Sequence, residues 1–167
     1  MGRLVLKNCP AFSVVFRSKN SIIDILKKSL KEEAMKLSVI EGIGDAYQSK
    51  LIAAGVRSTD ALLSRGALPK GREELAEATG ISHKLILEWI NHADLMRVKG
   101  VGPEYADLLE AAGVDTVVEL AQRKPENLFQ KLGEVNQAKK LVRKLPTLKQ
   151  VQAWVQEAAT LPRLIQY

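Results

Sequence analysis

The chain has 167 residues, of which 46% are apolar and 5% aromatic, and it carries a formal net charge of +6. That apolar share excludes global disorder, and the length allows one ordinary domain or two small ones. Plentiful Ala, Leu, Glu and Lys favour helices over sheets, and a single cysteine, Cys9, excludes an internal disulfide. The charge is uneven. Residues 1–34 hold seven Lys/Arg and three Asp/Glu, a net of +4, whereas residues 35–167 hold a net of only +2. The basic balance therefore belongs mostly to the N-terminal arm and says little about partners of the rest. His83 and His92 have no Cys or carboxylate cluster at metal-ligand spacing, so both are expected on helix surfaces and no metal site is expected.

The apolar run at residues 4–16 is interrupted by Lys7 and Pro10 and followed by Arg17-Ser18-Lys19, too short and broken for a membrane span, and no small-residue cleavage site follows, so no secretory signal is expected. From Ser21 the pattern turns helical, with Ile22, Ile25, Leu26 and Leu30 on one face and Lys27, Lys28 and Lys31 largely off it. This predicts an amphipathic helix within an arm of residues 1–36. Lys31-Glu32-Glu33 can be encoded by AAG-GAG-GAA, which contains a bacterial ribosome-binding sequence, and Met35 follows. Residues 1–34 are thus a candidate translated leader.

Val39-Ile40-Glu41-Gly42-Ile43-Gly44 returns 58 residues later as Val98-Lys99-Gly100-Val101-Gly102. At the same offset Tyr47 matches Tyr105, Leu51 matches Leu109, and Ala53-Ala54-Gly55-Val56 matches Ala111-Ala112-Gly113-Val114. Agreement at so many fixed positions marks an internal duplication. Two glycines let the chain reverse, and Ile43 or Val101 between them should point inward. A helix then starts at once, with Pro103 suited to its first turn. Tyr47 and Leu51, like Tyr105 and Leu109, are four apart and share a helix face. Gly55 and Gly113 are placed to end that helix, and Ser58 or Thr59, with Asp115 or Thr116, to cap a third.

Gly66 to Gly71, with Pro69, reads as a loop. Arg72 to Ala78 reads as a short helix ending near Gly80, and Ser82 caps a longer one through Leu95 with Leu85, Ile86, Trp89 and Ile90 inward. In the second copy Pro125 to Leu132 parallels the short helix and Gly133 parallels Gly80. Residues 134–145 read as an inserted helix. Thr147-Leu148-Lys149-Gln150 makes a capping box for the last one. Trp154 in that last helix matches Trp89, and both are expected in the core.

Gly-Ile-Gly-x-x-Tyr-x-x-x-Leu-x-x-Ala-Gly-Val resembles the helix-hairpin-helix motif. With Leu75-Ala76-Glu77-Ala78-Thr79-Gly80-Ile81-Ser82 and the helix that follows, it is similar to the small N-terminal domain of RadA-type recombinases. It is similar, too, to the C-terminal domain of the bacterial RNA polymerase alpha subunit. Over residues 36–167 the chain resembles a bacterial family of domain-of-unknown-function proteins built from two such units. The resemblance implies an all-α fold of tandem helix-hairpin-helix (SAM-like, RadA N-terminal-like) units, one at 37–96 and one at 97–167, and implies no activity. In DNA-binding relatives the turn amides and the next helix N-terminus hold a phosphate. Residue by residue, that places phosphates at Gly42-Ile43-Gly44 and Gly100-Val101-Gly102.

The flanking charges depart from the binding pattern. Asp45 and Glu41 bracket the first turn, with Lys50 one turn later. Glu104, Asp107 and Glu110 follow the second, offset by Arg97 and Lys99. Carboxylates beside a turn suit the helix dipole but repel phosphate. This favours a structural role for the second hairpin and leaves the first open. Lys139, Lys140, Arg143 and Lys144 cluster in the expected inserted helix, just before Lys149, with Lys140, Arg143 and Lys144 on one face. They form either a solvated helix surface or a contact for phosphates or an acidic partner.

There is no phosphate-binding Lys-Ser/Thr loop, no Ser/Cys-His arrangement and no basis for pairing carboxylates, and Gly42-x-Gly44 lacks the third glycine of a dinucleotide fingerprint. The expectation is a small cytoplasmic, non-enzymatic module without cofactor, membrane or small-molecule partner. Two functions stay open. One is non-specific DNA backbone binding through the first hairpin and the basic helix; the other is a protein-interaction scaffold with architectural hairpins.

Overall fold

The computed structural model describes residues 35–167. The chain divides into units 1–33 and 34–167. The expected N-terminal helix and the leader assignment lie outside the described residues. The described residues are all-helical, with a 3-10 turn at Leu37–Val39 and eight α-helices. We number these α1 Asp45–Ala53, α2 Thr59–Gly66, α3 Pro69–Thr79, α4 His83–Leu95, α5 Pro103–Ala111, α6 Val117–Ala121, α7 Pro125–Lys139 and α8 Leu148–Ala158. One isolated antiparallel bridge joins Lys36 to Ser58. No helix among the described residues is long and apolar enough to cross a membrane.

Local sequence explains most helix boundaries. Ser58, Ser82, Thr116 and Thr147 each accept a backbone N–H as N-caps, and Thr147 with Gln150 completes a capping box. Helices α1 and α5 end alike. Val56 N–H bonds the Leu51 carbonyl and Val114 N–H bonds the Leu109 carbonyl, both at 2.9 Å. These are six-to-one bonds, closed again by Gly55 to Ile52 and Gly113 to Glu110.

Two hydrophobic clusters form. The first gathers Leu37, Ile40, Ile43, Leu51, Leu62, Leu75, Ile86, Trp89 and Ile90; the second gathers Val98, Val101, Leu109, Leu120, Leu132, Val151 and Trp154. Met96 packs against both. In each cluster a tyrosine meets a tryptophan at a steep angle, Tyr47 with Trp89 at 5.3 Å and Tyr105 with Trp154 at 5.1 Å between ring centroids. Gly42 (φ +84°) and Gly100 (φ +88°) take left-handed backbone, and a Cβ on either would lie 3.3 Å from the Nε1 of Trp89 or Trp154. Both the turn and the indole therefore require glycine there.

Two expectations need correction. The loop expected from Gly66 to Gly71 is only Ala67 and Leu68; Gly66 ends α2, and Gly71 lies in α3, which begins at Pro69. The glycines there allow close approach rather than a break. A Cβ on Gly66 would fall 2.0 Å from Ile90 Cδ1, and one on Gly71 1.9 Å from the Arg65 carbonyl oxygen. The inserted helix at 134–145 does not exist as a separate element. Helix α7 runs through Gly133 to Lys139, and residues 140–146 form a loop. Val142 is drawn into the second core, and Lys140 breaks the helix at φ +53°, the one non-glycine residue at positive φ among the described residues. The chain also continues past its last helix. Residues after α8 return to the first half, where Ile165 joins the first core and Arg72 donates from Nη2 to the Gln166 carbonyl at 2.8 Å.

Candidate functional site

The first hairpin opens into a groove. Gln48 N–H bonds the Gly44 carbonyl, so the amides of Asp45, Ala46 and Tyr47 have no acceptor within α1. Gly42 lines an open cavity of about 550 Å³ with apolar walls that include Leu85, Trp89 and Leu141. Its charged lining is Glu41, Glu88, Asp107 and Glu110 against His92 and Lys139. Two unit charges 4 Å apart interact by about 1 kcal/mol in water and about 4 kcal/mol at an effective dielectric near 20. A net hydrogen bond contributes about 1 kcal/mol. Four carboxylates against two cations leave the groove net acidic, which disfavours phosphate. Lys50 stands on α1 with its ammonium 5.9 Å from the Tyr47 ring centroid.

His92 forms the groove's floor and corrects the expectation of a surface histidine. It is only 6% exposed, whereas His83 is exposed. Its Nε2 lies 2.6 Å from Asp107 Oδ1 and 3.4 Å from Glu110 Oε2, both on α5. Its Nδ1 lies 3.0 Å from the Glu88 carbonyl oxygen. Burial alone would lower the His92 pKa, but bonds to Asp107 and the Glu88 carbonyl, with the Glu110 and Asp107 charges, raise it above the usual value. Burial likewise pushes Asp107 up, yet bonds to His92 and Glu41 and the His92 charge hold its carboxyl below the usual range. Glu41 is raised, first by its side-chain bond to Asp107 and then by the Asp107 charge and burial. Burial raises Glu110, reinforced by Asp115, Glu88 and Asp107 and opposed by His92. The described residues contain no group of three or more His, Cys, Asp or Glu placed to hold a metal ion.

The second hairpin is built differently. Three residues after Trp154, where the first half has His92 after Trp89, stands Glu157. Its carboxylate accepts the Lys99 backbone N–H at 3.1 Å. Ala106 N–H bonds the Gly102 carbonyl and Pro103 has no N–H, so the Glu104 and Tyr105 amides open at the start of α5. Beside this helix runs the basic loop. The Tyr105 hydroxyl donates to the Lys144 carbonyl at 3.1 Å. Asn136 clamps Val142 twice, donating from Nδ2 to its carbonyl at 3.1 Å and accepting its N–H on Oδ1 at 2.9 Å. Lys139, Lys140, Arg143 and Lys144 are all exposed, and none forms an ion pair among the described residues.

The candidate residues therefore sort differently from the sequence expectation. Gly42 and Lys139, from opposite halves, line one acidic groove. Lys140, Arg143 and Lys144 do not share a helical face, because residues 140–146 are not helical; they decorate a clamped loop against Tyr105. The sequence reading missed His92, Asn136 and Glu157. The available signal was the pairing of the tryptophans, which puts His92 and Glu157 at one structural position.

By fold this is an all-α protein. The chain belongs to the family described as Domain of unknown function (DUF4332), which matches residues 41–161. Comparison with curated proteins and with solved structures finds no match.

Proposed function

We propose that the chain is a tandem helix-hairpin-helix binding module, not an enzyme, that grips nucleic-acid backbone without reading sequence. The observation that carries this reading is the loop of Lys140, Arg143 and Lys144, directly after Lys139 at the end of α7, held by Asn136 and by the Tyr105 hydroxyl. Rigid presentation lowers the ordering cost of a phosphate contact. The first hairpin, facing an acidic groove, acts as architecture, and the grip falls to the basic loop. Such contacts position a protein on nucleic acid and carry no base information.

The test is a salt titration against random duplex and single-stranded DNA. Affinity should fall steeply with salt, with a log–log slope of about −0.9 per neutralised phosphate on duplex. Lys140→Glu with Arg143→Glu should flatten that slope by about two contacts' worth and weaken binding to all sequences alike. Absence of binding at about 50 mM salt removes the proposal. The groove favours a second reading, a scaffold that takes a basic protein segment, because its four carboxylates and apolar walls complement such a segment. Capture of a Lys/Arg-rich peptide that Glu110→Lys abolishes would support that reading.

A further inference from the structure

The hydrogen bonds around His92 require a cation. Nδ1 faces a backbone carbonyl oxygen, which can only accept, and Nε2 faces the Asp107 carboxylate, which when ionised can only accept. A neutral imidazole has one N–H, so one of these two contacts would set lone pair against lone pair; imidazolium satisfies both. The residue joins two helices from different halves of the chain, α4 below and α5 above. The device is peculiar to the first half, since Glu157 at the matching position accepts an amide instead.

We propose that His92 is a proton-operated clasp: as imidazolium it ties Asp107 and Glu110 of α5 to α4, and on losing its proton it leaves carboxylates facing one another and loosens the seam. The groups that face it are Asp107 and Glu110 from α5, Glu41 from the first hairpin, Glu88 from its own helix, Asp115 from the turn after α5, and Lys139 from the end of α7. Once His92 is neutral, the exposed Lys139 is the one cation left among them. A paired buried charge adds little stability by itself, but removing one partner leaves the other uncompensated. The directions of the shifts agree. The raised His92 pKa makes its stabilisation complete below about pH 6.5 and lost as pH rises through the folded value. The lowered Asp107 pKa makes its own contribution present above the usual carboxylate range and lost as pH falls through the folded value. The clasp is closed between these two titrations.

This inference stands apart from the nucleic-acid proposal and is tested without any ligand. The chain has two histidines, so imidazole nitrogen spectra of the full chain give one signal for His92 and one for exposed His83 as reference. At about pH 6 His92 should carry protons on both nitrogens and titrate above the usual histidine value. Hydrogen-exchange protection of α4 and α5 amides, corrected for intrinsic rates, should fall from about pH 6 to about pH 9 as His92 loses its proton. His92→Gln should remove that dependence, whereas His83→Asn should leave it. A neutral His92 tautomer at about pH 6, or seam protection equal at both pH values in the wild-type chain, overturns the clasp. The wild-type measurements decide even if His92→Gln fails to fold.

Discussion

Ile165→Ala should destabilise the first half of the described chain, although Ile165 follows the last helix of the second. The side chain is 2% exposed and packs in the cluster built by Leu37, Leu62, Leu75 and Ile90. Truncating a buried isoleucine to alanine costs about 2–5 kcal/mol, depending on how far the site collapses. The backbone here is pinned on both sides of the Gln166 Cα. Gln166 N–H bonds the Ala67 carbonyl at 2.8 Å, and its own carbonyl takes Arg72 Nη2 at 2.8 Å. Collapse is therefore restricted at the backbone, but the segment lies at the surface, which places the cost at about 2–3 kcal/mol. For a domain of this size that is a fall in Tm of roughly 6–12 °C. Urea and thermal unfolding give the size, and native-state hydrogen exchange gives the place, with protection lost first in α2, α3 and α4. Leu164→Ala, at a 38%-exposed neighbour, should stay within about 0.5 kcal/mol. A loss below about 0.5 kcal/mol for Ile165→Ala, or deprotection confined to α5–α8, would refute the strap.

Gly42→Ala should cost about 1–2 kcal/mol from the left-handed backbone alone, with more from the Trp89 contact, whereas Gly44→Ala, at φ −78° in open space, should cost under about 1 kcal/mol as an N-cap change; chemical denaturation of both variants checks this. Lys140→Gly relieves the φ +53° residue and should stabilise by roughly 1 kcal/mol while weakening DNA binding, so stability and affinity move in opposite directions. Asp94→Ala should cost about 3 kcal/mol in urea unfolding, because this buried carboxylate holds Arg97 at 2.6 Å and the Val117 N–H at 3.0 Å.

The duplication, the N-caps and the glycine-closed ends of α1 and α5 were legible because they depend on near neighbours. Ser82 caps α4 through an amide three residues away, and Gly55 closes α1 against Ile52. Tyr47 and Trp89 were legible for a different reason: each recurs in the second copy, and a repeated large residue points to a repeated core. Glycines misled where packing, not turning, selects them. Gly66 and Gly71 sit inside helices because Ile90 and the Arg65 carbonyl leave no room for a Cβ. The basic run misled for the converse reason, since a helical face of cations looks the same on paper as a loop of them.

From the sequence alone came an all-α chain with two matched Gly–apolar–Gly turns and two matched core tryptophans. Tertiary structure alone decided that His92 is buried against Asp107 and Glu110, that Lys140, Arg143 and Lys144 stand on a loop held by Asn136 and Tyr105, and that Ile165 belongs to the first core. The first and last of these depend on surfaces that meet only after both halves are folded; the loop depends on contacts within the second half. Helical periodicity states which residues share a face and leaves open what covers that face. Here the cover is the other half of the chain, and it turned a surface histidine into a buried cation between two helices.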